Sequence, residues 1–94
     1  MIRKKYKIEV SKTFIKDFKK IPKTHHNIIN SKIATLETNP YIGKKLAGNL
    51  KNIWRIRIGT YRVAYSINDG KLVILLLKAG HRKDFYDNLN RIDP

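Results

Sequence analysis

Between Asn52 and Ile67 apolar and polar residues alternate on both sides of Gly59-Thr60, which is the pattern of a half-buried two-stranded hairpin. A two-residue turn leaves one register. Ile58 opposes Tyr61, Arg57 opposes Arg62, Ile56 opposes Val63, Arg55 opposes Ala64 and Trp54 opposes Tyr65. Trp54, Ile56, Ile58, Tyr61, Val63 and Tyr65 then share the face that a core must cover, while Arg55, Arg57 and Arg62 share the other. Like charges directly opposite weaken a sheet, so Arg57 against Arg62 points to an anion such as phosphate among the guanidiniums. Arginines splayed into water would fit the same alternation, and the rest of the chain weighs against that simpler case.

The charge balance supplies the weight. The 94 residues carry 21 Lys plus Arg against 7 Asp plus Glu, a formal +14, as expected of a protein that meets phosphate or an acidic partner. From Thr38 to Asn68 there is no acidic residue, while Lys44, Lys45, Lys51, Arg55, Arg57 and Arg62 all fall in that window. With 41% hydrophobic residues the chain can still build a core, which excludes a disordered basic tail. The length suits a single domain, 1–94. Cysteine is absent, in keeping with a reducing cytoplasm. Met1-Ile-Arg-Lys-Lys-Tyr has no apolar stretch behind it, and the longest apolar run is Leu72 to Leu77, so neither secretion nor a membrane span is expected.

The remaining elements can be placed by period and punctuation. Lys5 to Val10 puts Tyr6, Ile8 and Val10 on one face of a first strand. Ser11 fits the N-cap of a helix in which Phe14, Phe18 and Ile21 form an apolar stripe widened by Ile15, ended by Pro22. Thr24 can cap a second helix to about Thr38, with Ile29, Ile33 and Leu36 inward and Asn39-Pro40 as the stop. Tyr41 to Asn49 reads as a loop carrying Lys44 and Lys45. After the hairpin, Asn68-Asp69-Gly70 predicts a second tight turn, and Lys71 to Lys78 a strand whose unbroken apolar centre implies cover on both faces. The fold class is therefore α+β, a helical hairpin packed on a mainly antiparallel four-stranded sheet.

His81, Arg82 and Tyr86 follow Gly80 at the end of that last strand, from where their side chains can reach over the sheet toward the arginines. Singly each is more often a surface or core residue than a functional one. Together with Arg55, Arg57 and Arg62 they compose a candidate phosphodiester site. Metal binding is not expected: His25 and His26 are adjacent on a helix and diverge, and no acidic cluster could hold a hard cation. No paired carboxylates, glycine-rich phosphate loop or nucleophile motif is visible, and no cofactor is implied.

Leu46-Ala-Gly-Asn-Leu50, Trp54-Arg-Ile-Arg-Ile-Gly-Thr-Tyr-Arg-Val-Ala-Tyr65 and Lys78-Ala-Gly-His-Arg-Lys-Asp-Phe-Tyr86 occur in an order and spacing that resemble the RelE family of toxins from toxin–antitoxin pairs. The resemblance covers nearly the whole chain. It implies a fold similar to microbial ribonucleases, metal-independent cleavage of mRNA in the ribosomal A site, and neutralisation by an acidic RelB-like antitoxin. By position, Arg62 matches the arginine that holds the scissile phosphate, Arg82 the one that stabilises the leaving group or transition state, and Tyr86 the tyrosine that contacts the nucleotide. Arg55 and Arg57 stand where the best-known bacterial member has lysines, one of them proposed as a base. Arginine, with a pKa above about 12, cannot readily accept a proton, so both read as electrostatic clamps. His81, of a residue type with pKa near 6.5, is then the nearby group that could titrate near neutrality. Lys44, Lys45 and Lys51 are expected to meet ribosomal RNA. A ParE-like inhibitor of DNA gyrase that cuts nothing, and a non-catalytic nucleic-acid or ribosome-binding module, remain the alternatives.

Overall fold

The computed structural model describes residues 5–46, 52–83 and 85. In chain order these form strand β1 (Lys7–Val10), helix α1 (Lys12–Lys20), helix α2 (His26–Thr35), strand β2 (Lys44–Lys45), β3 (Trp54–Ile58), β4 (Tyr61–Asn68) and β5 (Val73–His81). Two single 3-10 turns, Lys23–His25 and Pro40–Ile42, join them.

The arginine hairpin has the register counted from the sequence, from Trp54 against Tyr65 to Ile58 against Tyr61. Gly59 at the first turn position has φ of +60°, a conformation that costs glycine nothing. Among the described residues the sheet has five strands in the order β1-β5-β4-β3-β2, one more than expected. The addition is β2: Lys44 and Lys45 lie in the predicted loop but pair with Arg55 and Trp54, a short charged strand closing the sheet edge. At the other edge β1 runs parallel to β5, and β4 and β5 are antiparallel. The predicted tight turn at Asn68 is longer than two residues. Asn68 pairs with Val73, its Oδ1 accepts from the Lys71 N–H at 3.0 Å, and Leu72 takes φ of +55° before β5 begins.

The helices cover one face. Phe14, Ile21, Ile29, Ile33 and Leu36 bury against Tyr6, Ile56, Ile58, Val63, Tyr65, Ile74, Leu76 and Ala79. Ile15, expected to widen the stripe, is 42% exposed, and Val10 at the end of β1 is likewise outside the core. Ser11 caps α1 as expected, its Oγ accepting from the Phe14 N–H at 3.0 Å. Thr24 does not cap α2. Pro22 starts a 3-10 turn instead, and α2 begins at His26, whose Nε2 donates back to the carbonyls of Phe18 and Ile21 at 3.1 and 2.8 Å. That ring gives the Ile21 carbonyl a donor and adds a second to the Phe18 carbonyl, which also accepts from the Ile21 N–H, so the helical pair is clamped by a histidine rather than by a threonine hydroxyl.

The opposite face is covered too, as the unbroken run in β5 implied. Ala64, Leu77 and Phe85 form a second small cluster there, flanked by Leu46, Ile53 and Leu75. Between Ala64 and Tyr65 the β4–β5 register shifts: Ala64 faces Lys78 and Tyr65 faces Leu76, leaving Leu77 as an extra residue on β5.

Candidate functional site

Arg62 lies in the middle of the sheet, between Arg57 on β3 and Gly80 on β5. It is only 8% exposed. Its Nη1 donates to the carbonyls of Gly59 and Tyr61, both at 2.9 Å, which curls the guanidinium over the hairpin tip. A guanidinium has five N–H groups in a planar fork, so Nη2 and Nε remain for another acceptor. Gly80 opposite contributes no side chain to crowd it. Arg82 is held near the same tip by its own backbone, whose N–H donates to the Thr60 carbonyl at 2.7 Å, and its side chain is exposed. Arg62 and Arg57 thus face each other near the hairpin tip, and the backbone of Arg82 is fixed beside that tip.

Arg55 stands further along the same face beside Lys44. Its Nε is buried and has no hydrogen-bond partner among the described residues. A groove of about 290 Å³ runs here between Lys32, Gly43, Lys44, Arg55 and Arg57. Lys32 was not anticipated: it sits on α2, and only the packing of that helix beside β3 brings it to the groove. Lys45, by contrast, alternates to the other side of β2, opposite Trp54. Tyr86 and Lys51 lie outside the described residues.

His81 is not on the arginine face. It is the last residue of β5 and pairs with Tyr61, with ring centroids 5.8 Å apart in an edge-on contact on the helix side of the sheet. Its Nδ1 accepts from the Lys83 N–H at 3.2 Å, so in the neutral ring the proton resides on Nε2 and the lone pair a base would use is already engaged. Beside it a hollow of about 590 Å³ is lined by Asp17, Lys20, Tyr61, Lys78 and His81, among others. Asp17 is committed there: its Oδ2 accepts from Lys78 Nζ at 3.2 Å and from the Ala79 N–H at 3.1 Å, tying α1 to β5.

Among the described residues nothing compensates the charge of the arginine face. Among the described residues the ion pairs are Lys78–Asp17 and the exposed Lys5–Glu37, and neither touches it. A nearly buried cation with no carboxylate is costly unless an anion completes it. The fork of Arg62, with Arg57 opposite, fits a phosphate bidentately. The arginines themselves cannot readily take a proton, and His81 lies across the sheet. At the far end of the hairpin, Tyr65 is fully buried, and its hydroxyl donates to the Pro40 carbonyl at 2.7 Å. Burial pushes its pKa up to about 12, with the Gly43 backbone pulling weakly the other way. The hydroxyls of Tyr6 and Tyr41 both donate to Asp69 Oδ1, and that carboxylate raises the pKa of each tyrosine.

The family model for ParE-like toxins of type II bacterial toxin–antitoxin systems matches residues 8–90. A Methanocaldococcus jannaschii protein bearing the toxin name RelE1 is 32% identical over 89 residues, covering 89% of this chain and 98% of that one. Among solved structures, the RelBE2 toxin–antitoxin complex of Mycobacterium tuberculosis superposes with a TM-score of 0.74 at 28% identity, over 83% of this chain and 99% of that chain. The archaeal RelE–RelB complex of Pyrococcus horikoshii gives 0.68 at 30% identity, over 83% and 96%.

Proposed function

The chain belongs to the RelE/ParE superfamily of toxins from type II toxin–antitoxin systems, and on that premise we propose that it is an endoribonuclease that cuts mRNA in the ribosomal A site and arrests translation. The observation that carries this is Arg62, 8% exposed, tied by one nitrogen to two carbonyls, facing Arg57 and unpaired with any described carboxylate. Such a group is preorganised for phosphate.

In the proposed reaction the 2′-hydroxyl oxygen of one nucleotide attacks the adjacent phosphorus in line as the bond to the 5′-oxygen breaks. The products are a 2′,3′-cyclic phosphate and a free 5′-hydroxyl, the proton lost by the nucleophile balancing the one gained by the leaving oxygen. Negative charge gathers on the phosphoryl oxygens, and Arg62 and Arg57 meet it without reorganising. Arg82 faces the leaving oxygen, and Tyr86 contacts the nucleotide. No metal is required in this scheme. Because arginine is a poor base and His81 lies across the sheet, positioning of the 2′-hydroxyl by the ribosome supplies much of the rate.

The partner is an acidic RelB-like antitoxin, a reading supported by the solved relatives, which are complexes of RelE-type with RelB-type chains. The site of action is the cytoplasm. Among the described residues no helix is long and apolar enough to cross a membrane. One observation favours a second reading: arginines at Arg55 and Arg57, which are poor bases, and His81 across the sheet suit a ParE-like gyrase inhibitor that cuts nothing. Mapping RNA ends after induced expression separates the two. Cuts inside translated messages with 5′-hydroxyl ends are expected; intact messages with trapped gyrase–DNA complexes would reverse the assignment.

A further inference from the structure

We infer that the hollow between Tyr41 and Trp54 seats one unstacked nucleotide of single-stranded RNA, reached from the arginine face around the β2 edge of the sheet. The inference rests on the reading of this chain as an RNA-directed toxin and adds a contact on the other face. The hollow encloses about 390 Å³, and its walls include Tyr41, Lys45, Asn52, Trp54, Ser66 and Asp69. That size suits a small planar ligand.

The two rings form a corner, with centroids 5.4 Å apart and planes inclined by 69°. Tyr41 is 49% exposed, yet its ring is not free to swing, because its hydroxyl is fixed on Asp69 together with that of Tyr6. Trp54 is steadied from within by Tyr65, at 6.5 Å and 26°. Both walls are thus set before a ligand arrives, and stacking a base on them costs little further ordering. Every base has a π face, so such a corner is tolerant of sequence. Asn52 brings an amide and Ser66 a hydroxyl for a base edge, and the Lys45 ammonium can meet the phosphate. The Asp69 carboxylate already accepts two hydroxyls and does not stand bare against a polyanion.

The path to this corner is written in β2. Lys44 stands against Arg55 and Lys45 against Trp54, so consecutive lysines address the two faces of one edge strand. Arg57 and Trp54 are three residues apart on β3, about 10 Å at the rise of a strand. A polynucleotide held on Arg57 and Arg55 meets Lys44, rounds the edge, and meets Lys45 and the rings. A protein partner could also use an aromatic corner. Basic residues on both sides of the edge leading to it favour a polyanion that follows them.

Trp54 is the sole tryptophan of the chain, so its emission reports on this hollow. Titrating the full chain with a 2′-O-methyl tetranucleotide, which lacks the attacking hydroxyl, is expected to quench Trp54 saturably. Lys45→Glu and Tyr41→Leu, each checked for fold by circular dichroism, should each weaken the midpoint about tenfold, the scale of one lost stacked base or phosphate contact. Oligonucleotide that binds by anisotropy without altering Trp54 emission overturns the inference. So does quenching indifferent to Lys45→Glu, or a Trp54 response to an acidic helical peptide and not to the oligonucleotide. The two readings fail separately: intact messages after induction would sink the nuclease while quenching stood, and cut messages without quenching would sink this site alone.

Discussion

Replacing Arg62 with alanine is expected to remove most of the cleavage rate while leaving the fold nearly as stable as before. Two contributions to stability oppose each other. The guanidinium donates at 2.9 Å to the carbonyls of Gly59 and Tyr61, and a bond from a charged donor is worth about 1.5–3 kcal/mol. Both carbonyls lie at the hairpin tip, where water can replace the donor and return much of that. Against the loss, the substitution removes a cation that is 8% exposed and faces Arg57. Burying such a charge without a counter-ion costs several kcal/mol, and like charges across a ladder cost about 0.2–1 kcal/mol more. The net change in unfolding free energy should stay within about 1.5 kcal/mol. For the reaction nothing compensates: one donor lost from the developing phosphorane charge costs about 3 kcal/mol, or about two orders of magnitude in rate. The assay pairs single-turnover cleavage on programmed ribosomes with urea unfolding of the same preparation. Inorganic phosphate gives a third readout, because an anion at ten times its Kd adds about 1.4 kcal/mol to native stability, and the variant should lose that increment. Cleavage within threefold of the parent would remove Arg62 from the chemistry. Loss of more than about 3 kcal/mol in stability would make it a structural part of the turn.

His81→Ala should lower the single-turnover rate by less than about tenfold and leave its dependence on pH between about 5.5 and 7.5 intact, because the imidazole lies across the sheet from the arginines; a flattened profile would restore it as the base. Gly43→Ala should cost about 2–4 kcal/mol in a denaturant melt, since a Cβ there would stand 2.4 Å from the Tyr65 hydroxyl and 2.6 Å from the Arg55 carbonyl oxygen; a loss under about 1 kcal/mol would mean the loop simply moves aside. Tyr65 makes stability fall at alkaline pH: with its folded pKa raised to about 12, the unfolded chain ionises first, near pH 10, so its contribution is whole below that and is lost up to about pH 12. The slope from this one group is about 1.4 kcal/mol per pH unit. Tyr65→Phe should lower stability at neutral pH but reduce that slope, as followed by urea midpoints from pH 9 to 11.

The hairpin was determined by the sequence alone, residue for residue, because a two-residue turn with glycine at its first position leaves a single register and the apolar alternation fixes which face is wet. Arg57 against Arg62 follows from that count and from nothing else in the fold. Helix α1 was equally legible, since its cap and its apolar stripe are local. What pairs at long range was not. The parallel joining of β1 to β5 links residues more than sixty positions apart and leaves no local mark, and Lys44-Lys45 becomes a strand only because β3 offers it an edge. The placement of His81 was decided by one residue. Continuing the pairing of Tyr65 with Leu76 without interruption would have put Ala79 opposite Arg62 and His81 on the arginine face. Leu77, accommodated as a bulge against the Ala64–Tyr65 step, shifts the register by one. Because side chains alternate with period two, that shift turns His81 toward Tyr61 and the helices and sets Gly80 beside Arg62. Whether the bulge forms depends on burying Leu77 with Ala64 and Phe85 on the second face, a packing energy that exists only once the sheet is assembled.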